Sequence, residues 1–224
     1  NLYALLSDAT GQYLPWGTLT GIRPTKIPMK LLEEGWKNTE IARYMRETYG
    51  VSNEKTALAI TIANREKALL QDLDYENGYS LYVGIPFCPS ICLYCSFGSH
   101  PLERWTKRVD EYLDTLCKEL TFIREQMGAR KLTTVYIGGG TPTTLEPEQL
   151  RRLLSHIQET FDFTWVKEYT VEAGRPDSIT REKLQVMKEF PVTRISVNPQ
   201  TMNQKTLDVI GRKHTVEDTV NIFH

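Results

Sequence analysis

Three of the four cysteines in this 224-residue chain fall within eight residues, as Cys88, Cys92 and Cys95. A thiolate is a soft metal ligand, and three close together invite a metal. The spacing Cys88-x-x-x-Cys92-x-x-Cys95 can hold three corners of a cubane iron–sulfur cluster. The fourth iron would then lack a protein ligand and could chelate a small molecule. That is a catalytic arrangement rather than a purely electron-transferring one. Two plainer readings stand beside it: His100 could complete a Cys₃His zinc site, or the three thiols could share a loop by chance. Cys117 stands apart on the apolar face of a helix and reads as a small packed hydrophobe.

Three further stretches carry chemistry-bearing residues. Gly138-Gly139-Gly140-Thr141-Pro142-Thr143 would let a backbone approach a ligand closely. It is not a phosphate-binding P-loop, because no Gly-Lys-Ser/Thr follows, and it does not fit GxGxxG. Glu172 ends an apolar run in Val171-Glu172-Ala173-Gly174-Arg175-Pro176, where a carboxylate can accept bonds from ribose hydroxyls. Gln200 follows the next apolar run, and Arg212 lies twelve residues on. A guanidinium can clamp a carboxylate through two parallel bonds. Each signal is weak alone, and their order after successive strands strengthens them.

The elements that must position these residues follow from periodicity. Residues 1–77 read as helical, with helices expected at 2–7, 25–34, 39–48 and 53–73. In the last, Leu58, Ile62, Leu69 and Leu73 recur at helical spacing. Residues 75–79, with Asn77-Gly78, form a turn-rich junction and the expected domain boundary. Strands are expected at 80–85, 132–137, 166–171 and 192–197. Helices are expected between them at 103–127, 147–161 and 180–190, then at 203–210. Thr215-Val216-Glu217-Asp218 reads as a capping box opening a final helix. Four strand–helix alternations imply a parallel sheet, with functional loops at the C-terminal ends of the strands.

The composition sets limits. Twenty-seven basic and 28 acidic residues leave a net charge of −1, so a general polyanion-binding surface is not expected. No apolar run approaches a membrane span, and no leader segment is visible at the start. With cysteines clustered rather than paired, the expectation is a cytoplasmic protein without membrane or nucleic-acid partners.

The stretch Leu81-Tyr82-Val83-Gly84-Ile85-Pro86-Phe87-Cys88 through Cys92-Leu93-Tyr94-Cys95, with Tyr94 directly before the third cysteine, resembles the radical S-adenosylmethionine (SAM) superfamily. There the open iron of a [4Fe-4S] cluster binds SAM. One electron cleaves SAM to methionine and a 5′-deoxyadenosyl radical, which abstracts a hydrogen from the substrate. The IPFC…C…YC, GGGTPT, VEAGRP and RISVNPQTMN…IGRKHT strings together resemble the oxygen-independent coproporphyrinogen III oxidase family. They fit best its HemZ-type branch, also called coproporphyrinogen dehydrogenase. The motifs are specific over 80–216 and less distinctive over 1–79, chiefly at 19–26.

The resemblance implies a α/β fold: a partial (β/α)₆ barrel, about four units of it present in 78–224, after a small helical domain at 1–77. It implies that Cys88, Cys92 and Cys95 ligate the cluster, that Tyr94, Gly139, Gly140 and Thr141 line SAM, that Glu172 and Gln200 hold its ribose, and that Arg212 holds its carboxylate. Tyr82 matches a tyrosine near the cluster and is the catalytic candidate. It also implies a tetrapyrrole substrate, coproporphyrinogen III, decarboxylated oxidatively to protoporphyrinogen IX, and an external electron donor such as flavodoxin or ferredoxin. Related branches act as haem chaperones or open and methylate haem. Two positions depart from the best-understood oxidases: Gly84 stands in place of a His, and Phe97 in place of a fourth cysteine. Arg175 and Arg23 are the cations considered for the substrate's carboxylates. The family normally continues further, so the chain reads as truncated at its C-terminus.

A rival reading concerns residues 38–60, where Gly50 sits in a helix-turn-helix-like pattern. The helix from Asn53 runs Glu54-Lys55-Thr56-Ala57-Leu58, which is poor in cations for reading bases. A helical bundle is the stronger expectation.

Overall fold

The computed structural model describes residues 2–21, 23–74 and 76–224, so Ile22 of the 19–26 motif and Tyr75 of the expected junction lie outside the described residues. The chain divides into two compact units, Asn1–Leu73 and Asp74–His224.

The first unit holds four helices: α1 (Leu2–Thr10), α2 (Lys26–Glu33), α3 (Asn38–Tyr49) and α4 (Asn53–Leu70). The Glu40 carboxylate accepts the Lys37 N–H at 2.8 Å and fixes the start of α3. Gly50 ends α3 in the left-handed region at φ 68°, and the Ser52 hydroxyl then caps α4 by accepting from Lys55 N. Leu31, Leu32, Ile41, Met45, Val51 and Ala63 form the core.

The buried face of α4 is Thr56, Ala59 and Ala63, not the stripe of leucines that periodicity picks out. Leu58 and Leu69 are exposed, and Ile62 is half-buried. Small side chains let α4 approach α2 and α3 closely, which bulky ones would prevent. Lys67 reinforces the choice by donating to the Leu32 carbonyl at 2.7 Å, at the C-terminal end of α2.

The second unit is a sheet of four parallel strands in the order β1 (Gly78–Ile85), β4 (Lys131–Gly139), β5 (Glu168–Glu172), β6 (Arg194–Ser196). A separate two-stranded parallel pair, β2 (Phe87–Cys88) and β3 (His100–Pro101), brackets the cysteine loop. The helices are α5 (Leu102–Trp105), α6 (Val109–Met127), α7 (Pro147–Thr160), α8 (Arg181–Lys188), α9 (Gln204–Val209) and α10 (Val216–Phe223). The helix expected at 103–127 is broken by a 3₁₀ turn at Thr106–Arg108. The predicted Thr215–Asp218 capping box opens α10.

One face of the sheet packs on helices. Leu81, Val83, Ile85, Val135, Ile137, Tyr169 and Val171 meet Leu113 and Leu120 of α6, Leu153 and Ile157 of α7, and Met187 of α8. Burying each such side chain contributes about 1.5–3 kcal/mol. Alternation then turns Tyr82, Tyr136, Thr170 and Arg194, which are neighbours in register, to the opposite face. An all-parallel sheet with helices on one face only is the expected partial (β/α)₆ barrel, seen as four strand–helix units.

Candidate functional site

The site forms where the strands end. β4 continues through Gly138 and Gly139, further than the loop expected from residue 138. Gly139 has a φ of 102°, a left-handed value that suits glycine. Gly140 N then donates to the Ile85 carbonyl at 2.7 Å, sealing the turn against the end of β1. Thr141 is buried, and its hydroxyl lies 3.4 Å from Cys88 Sγ. Buried Lys183 ties the next two loops together, donating to the Thr143 carbonyl at 2.7 Å and the Ser178 carbonyl at 3.1 Å. Burial pulls its pKa down.

The cysteine loop is fastened by the segments that follow β5 and β6. Leu93 N donates to the Ile210 carbonyl at 3.0 Å, and the Ser90 hydroxyl to the Gly211 carbonyl at 3.1 Å. Arg175, 3 % exposed, forks onto both oxygens of Asp177 and reaches the Ser90 carbonyl and hydroxyl. It is therefore spoken for, and does not serve as the free substrate cation that the sequence allowed. Burial works against its charge, but Asp177 outweighs burial and holds the guanidinium protonated.

These loops enclose a cavity of about 160 Å³ whose walls include Cys88, Cys92, Tyr94, Cys95, Gly139, Gly140, Thr141, Glu172, Gln200 and Arg212. Ten of the eleven candidate residues thus share one wall. The volume is below the usual range for a ligand site. Tyr94, Phe97 and Gln200 stand exposed along it, so it is the closed end of an open cleft. Gln200 has a φ of 66° and, among the described residues, is the one non-glycine in the left-handed region. Such strain persists where surrounding structure enforces it, often at functional sites.

Tyr82, the eleventh candidate, does not line the cavity. It lies two residues back along β1 from Gly84, roughly 7 Å at strand rise, on the right face but a step below. It is 63 % exposed and stacks on Tyr136, with ring centroids 5.7 Å apart. The Tyr136 hydroxyl in turn donates to the Glu172 carboxylate. Burial, with that carboxylate, pushes the Tyr136 pKa up to about 12. Tyr136 is the functional neighbour that motif reading missed. Its signal was present in the alternation of β4, which puts it beside Tyr82 in register. Asn198, Gly174 and Ser90 also line the cavity without having been singled out.

His100 is not available to the cysteines. Its ring packs on Trp105 at 4.9 Å and lines a different cavity with Phe87 and Tyr112. Cys117 is half-buried on α6, away from the cysteine cavity. Among the described residues no three His, Cys, Asp or Glu side chains close on one point as a single ion would need. A cubane takes one thiolate per iron, and Cys88, Cys92 and Cys95 all line the one cavity.

Two observations test the fit of SAM. Arg212 is buried and spends one terminal nitrogen on the Gly174 and Asn198 carbonyls, while its Nε–H is buried without a partner. A buried guanidinium N–H left unpaired costs free energy that an incoming carboxylate would recover. A Cβ at Gly140 would sit 2.7 Å from the Phe87 carbonyl oxygen and 3.0 Å from Cys88 Sγ. Only a glycine there lets the cysteine loop press this closely on the turn that lines the cavity.

The sequence profile of the Radical SAM superfamily matches residues 82–224. The chain belongs to that superfamily. Membership implies a [4Fe-4S] cluster and SAM as cofactors. This radical SAM chain is 41 % identical, over 98 % of its length, to the oxygen-independent coproporphyrinogen-III oxidase-like protein HemZ of Bacillus subtilis, and covers 45 % of that protein. It is 39 % identical over 64 % of its length to the heme chaperone HemW of the same organism, covering 38 % of it. It also resembles the solved coproporphyrinogen III oxidase HemN of Escherichia coli, with a TM-score of 0.59 at 28 % identity. That match covers 70 % of this chain and 36 % of the other. The chain thus spans less than half the length of these relatives. Among the described residues no helix is long and apolar enough to cross a membrane.

Proposed function

We propose that this chain is the cofactor-binding portion of a radical SAM enzyme of tetrapyrrole metabolism, decarboxylating coproporphyrinogen III oxidatively to protoporphyrinogen IX. The observation that carries the proposal is the single cavity joining Cys88, Cys92 and Cys95 to Gly140, Glu172 and Arg212. Similarity to HemZ and HemN supports the choice of substrate.

In this reading the three thiolates hold three irons of the cluster and leave the fourth open. When bound, cluster and SAM supply a carbon radical able to remove an unactivated hydrogen from a propionate side chain. Arg212 offers its unpaired Nε–H to the methionyl carboxylate. Gly139 and Gly140 admit the methionine moiety against backbone. Glu172, held by Tyr136, accepts from the ribose hydroxyls, and Gln200 stands beside it. The stacked Tyr82 and Tyr136 rings present an apolar surface next to Glu172, which limits water around reactive atoms. An external electron donor such as flavodoxin or ferredoxin delivers the reducing electron in this proposal, in a cytoplasmic setting without nucleic-acid or membrane partners.

Anaerobic reconstitution with iron and sulfide, followed by SAM, reductant and coproporphyrinogen III, tests the proposal. 5′-Deoxyadenosine together with a vinyl porphyrinogen supports it. A zinc-loaded, colourless protein refutes it. The similarity to HemW favours one second reading, a haem chaperone, which predicts haem binding without decarboxylation.

A further inference from the structure

Arg175 does more than pin a loop. Its Nη1 donates to the Ser90 carbonyl and hydroxyl, each at 3.0 Å, and points at Cys92 Sγ 3.9 Å away. The other edge of the guanidinium is locked by Asp177, with Nε–Oδ1 at 3.0 Å and Nη2–Oδ2 at 2.7 Å. The Arg175 side chain is 3 % exposed and that of Asp177 19 % exposed, so water screens this cation weakly. A buried, forked guanidinium has few other orientations available.

We propose that Arg175 is a positioning residue for the iron–sulfur cluster: it orients Cys92 and sets the cluster's reduction potential through its charge and its N–H···S contact. The inference rests on the cluster reading above. Reduction adds negative charge to the cluster and its thiolates. A fixed cation and an N–H donor at a ligand sulfur favour that reduced form and raise the potential. Asp177 acts in the opposite sense, because its charge partly cancels that of Arg175 while its two oxygens hold the fork in place.

The test is a redox titration of the reconstituted chain, followed by electron paramagnetic resonance, in wild type, Arg175→Gln and Asp177→Asn. Arg175→Gln is expected to shift the midpoint to a more negative value, and Asp177→Asn to a less negative one. Opposite shifts support the proposal. Unmoved potentials, or shifts of the same sign, overturn it, because a merely structural brace would lower cluster content without ordering potentials by charge. Should Arg175→Gln fail to fold, Asp177→Asn is read alone: a positive shift supports, and any other result overturns. A wild-type chain that takes up no iron–sulfur cluster overturns the cluster reading itself, an outcome distinct from a cluster whose potential ignores both variants.

Discussion

Gly140→Ala is the sharpest perturbation of the site. The added Cβ would stand 2.7 Å from the Phe87 carbonyl oxygen, 3.0 Å from the Ile85 carbonyl oxygen and 3.0 Å from Cys88 Sγ. Ordinary contact begins near 3.4 Å, so the Phe87 carbonyl must retreat by about 0.7 Å. Two of the three obstacles are backbone. Phe87 and Cys88 are paired with His100 and Pro101, and Ile85 accepts the Gly140 N–H. The movable obstacle is Cys88 itself, the first proposed cluster ligand. Overpacking of this kind costs about 1–3 kcal/mol. If the strain is relieved by displacing Cys88, the same energy weakens cofactor binding by roughly 5- to 150-fold. The assay is iron and sulfide content after anaerobic reconstitution, SAM affinity by equilibrium dialysis, and thermal unfolding to confirm the fold. Gly98→Ala is the control, since a Cβ there meets nothing within 4 Å. Undiminished iron and wild-type SAM affinity in Gly140→Ala would refute the reasoning.

Other outcomes are expected. Tyr136→Phe removes the hydrogen bond to Glu172 and should raise the SAM dissociation constant roughly five- to tenfold, about 1 kcal/mol, with little change in melting temperature. The same variant should remove one of the late-ionising phenols from an alkaline titration of phenolate absorbance. His214 is 1 % exposed, and burial, with Arg212 next, lowers its pKa from 6.5. The unfolded chain then takes up a proton that the folded one refuses, so stability falls as pH drops from 6.5 to the lowered value. His214→Phe should flatten that slope by about one proton in pH-dependent denaturation. Leu153→Ala, at a fully buried α7 position, should cost about 2–5 kcal/mol in chemical unfolding.

The parts of the site that sequence displayed are those tied to strand ends. A motif that ends a strand must lie at the C-terminal end of a parallel sheet, so Gly139 and Glu172 were bound to come near the cysteines, whereas Arg212 reaches them from beyond α9. Helix starts were equally readable where a side chain caps its own backbone, as at Thr215. What escaped depends on choices between equivalent faces. In α4 both leucine and alanine stripes have helical spacing, and close packing against α2 selected Ala59 and Ala63. Tyr136 lacked a motif because its role arises from register with Tyr82 and from the reach of Glu172. Arg175 looked like a cation for substrate because Asp177, two residues on, gave no hint that its carboxylate would turn back and fork.

The cysteine loop has its fasteners far downstream: Ser90 is held by Arg175, 85 residues later, and by Gly211, 121 residues later. On the ribosome, therefore, the cysteine loop is bracketed early by the Phe87–Cys88 and His100–Pro101 pair but gains its last fasteners much later. At about 5–20 residues per second, the interval between Cys95 and Gly211 lasts roughly 6–23 s. During that time the cysteine loop lacks its fastenings to Ile210 and Gly211. The loop that carries the three cysteines is thus fully braced only after the fourth strand has joined the sheet.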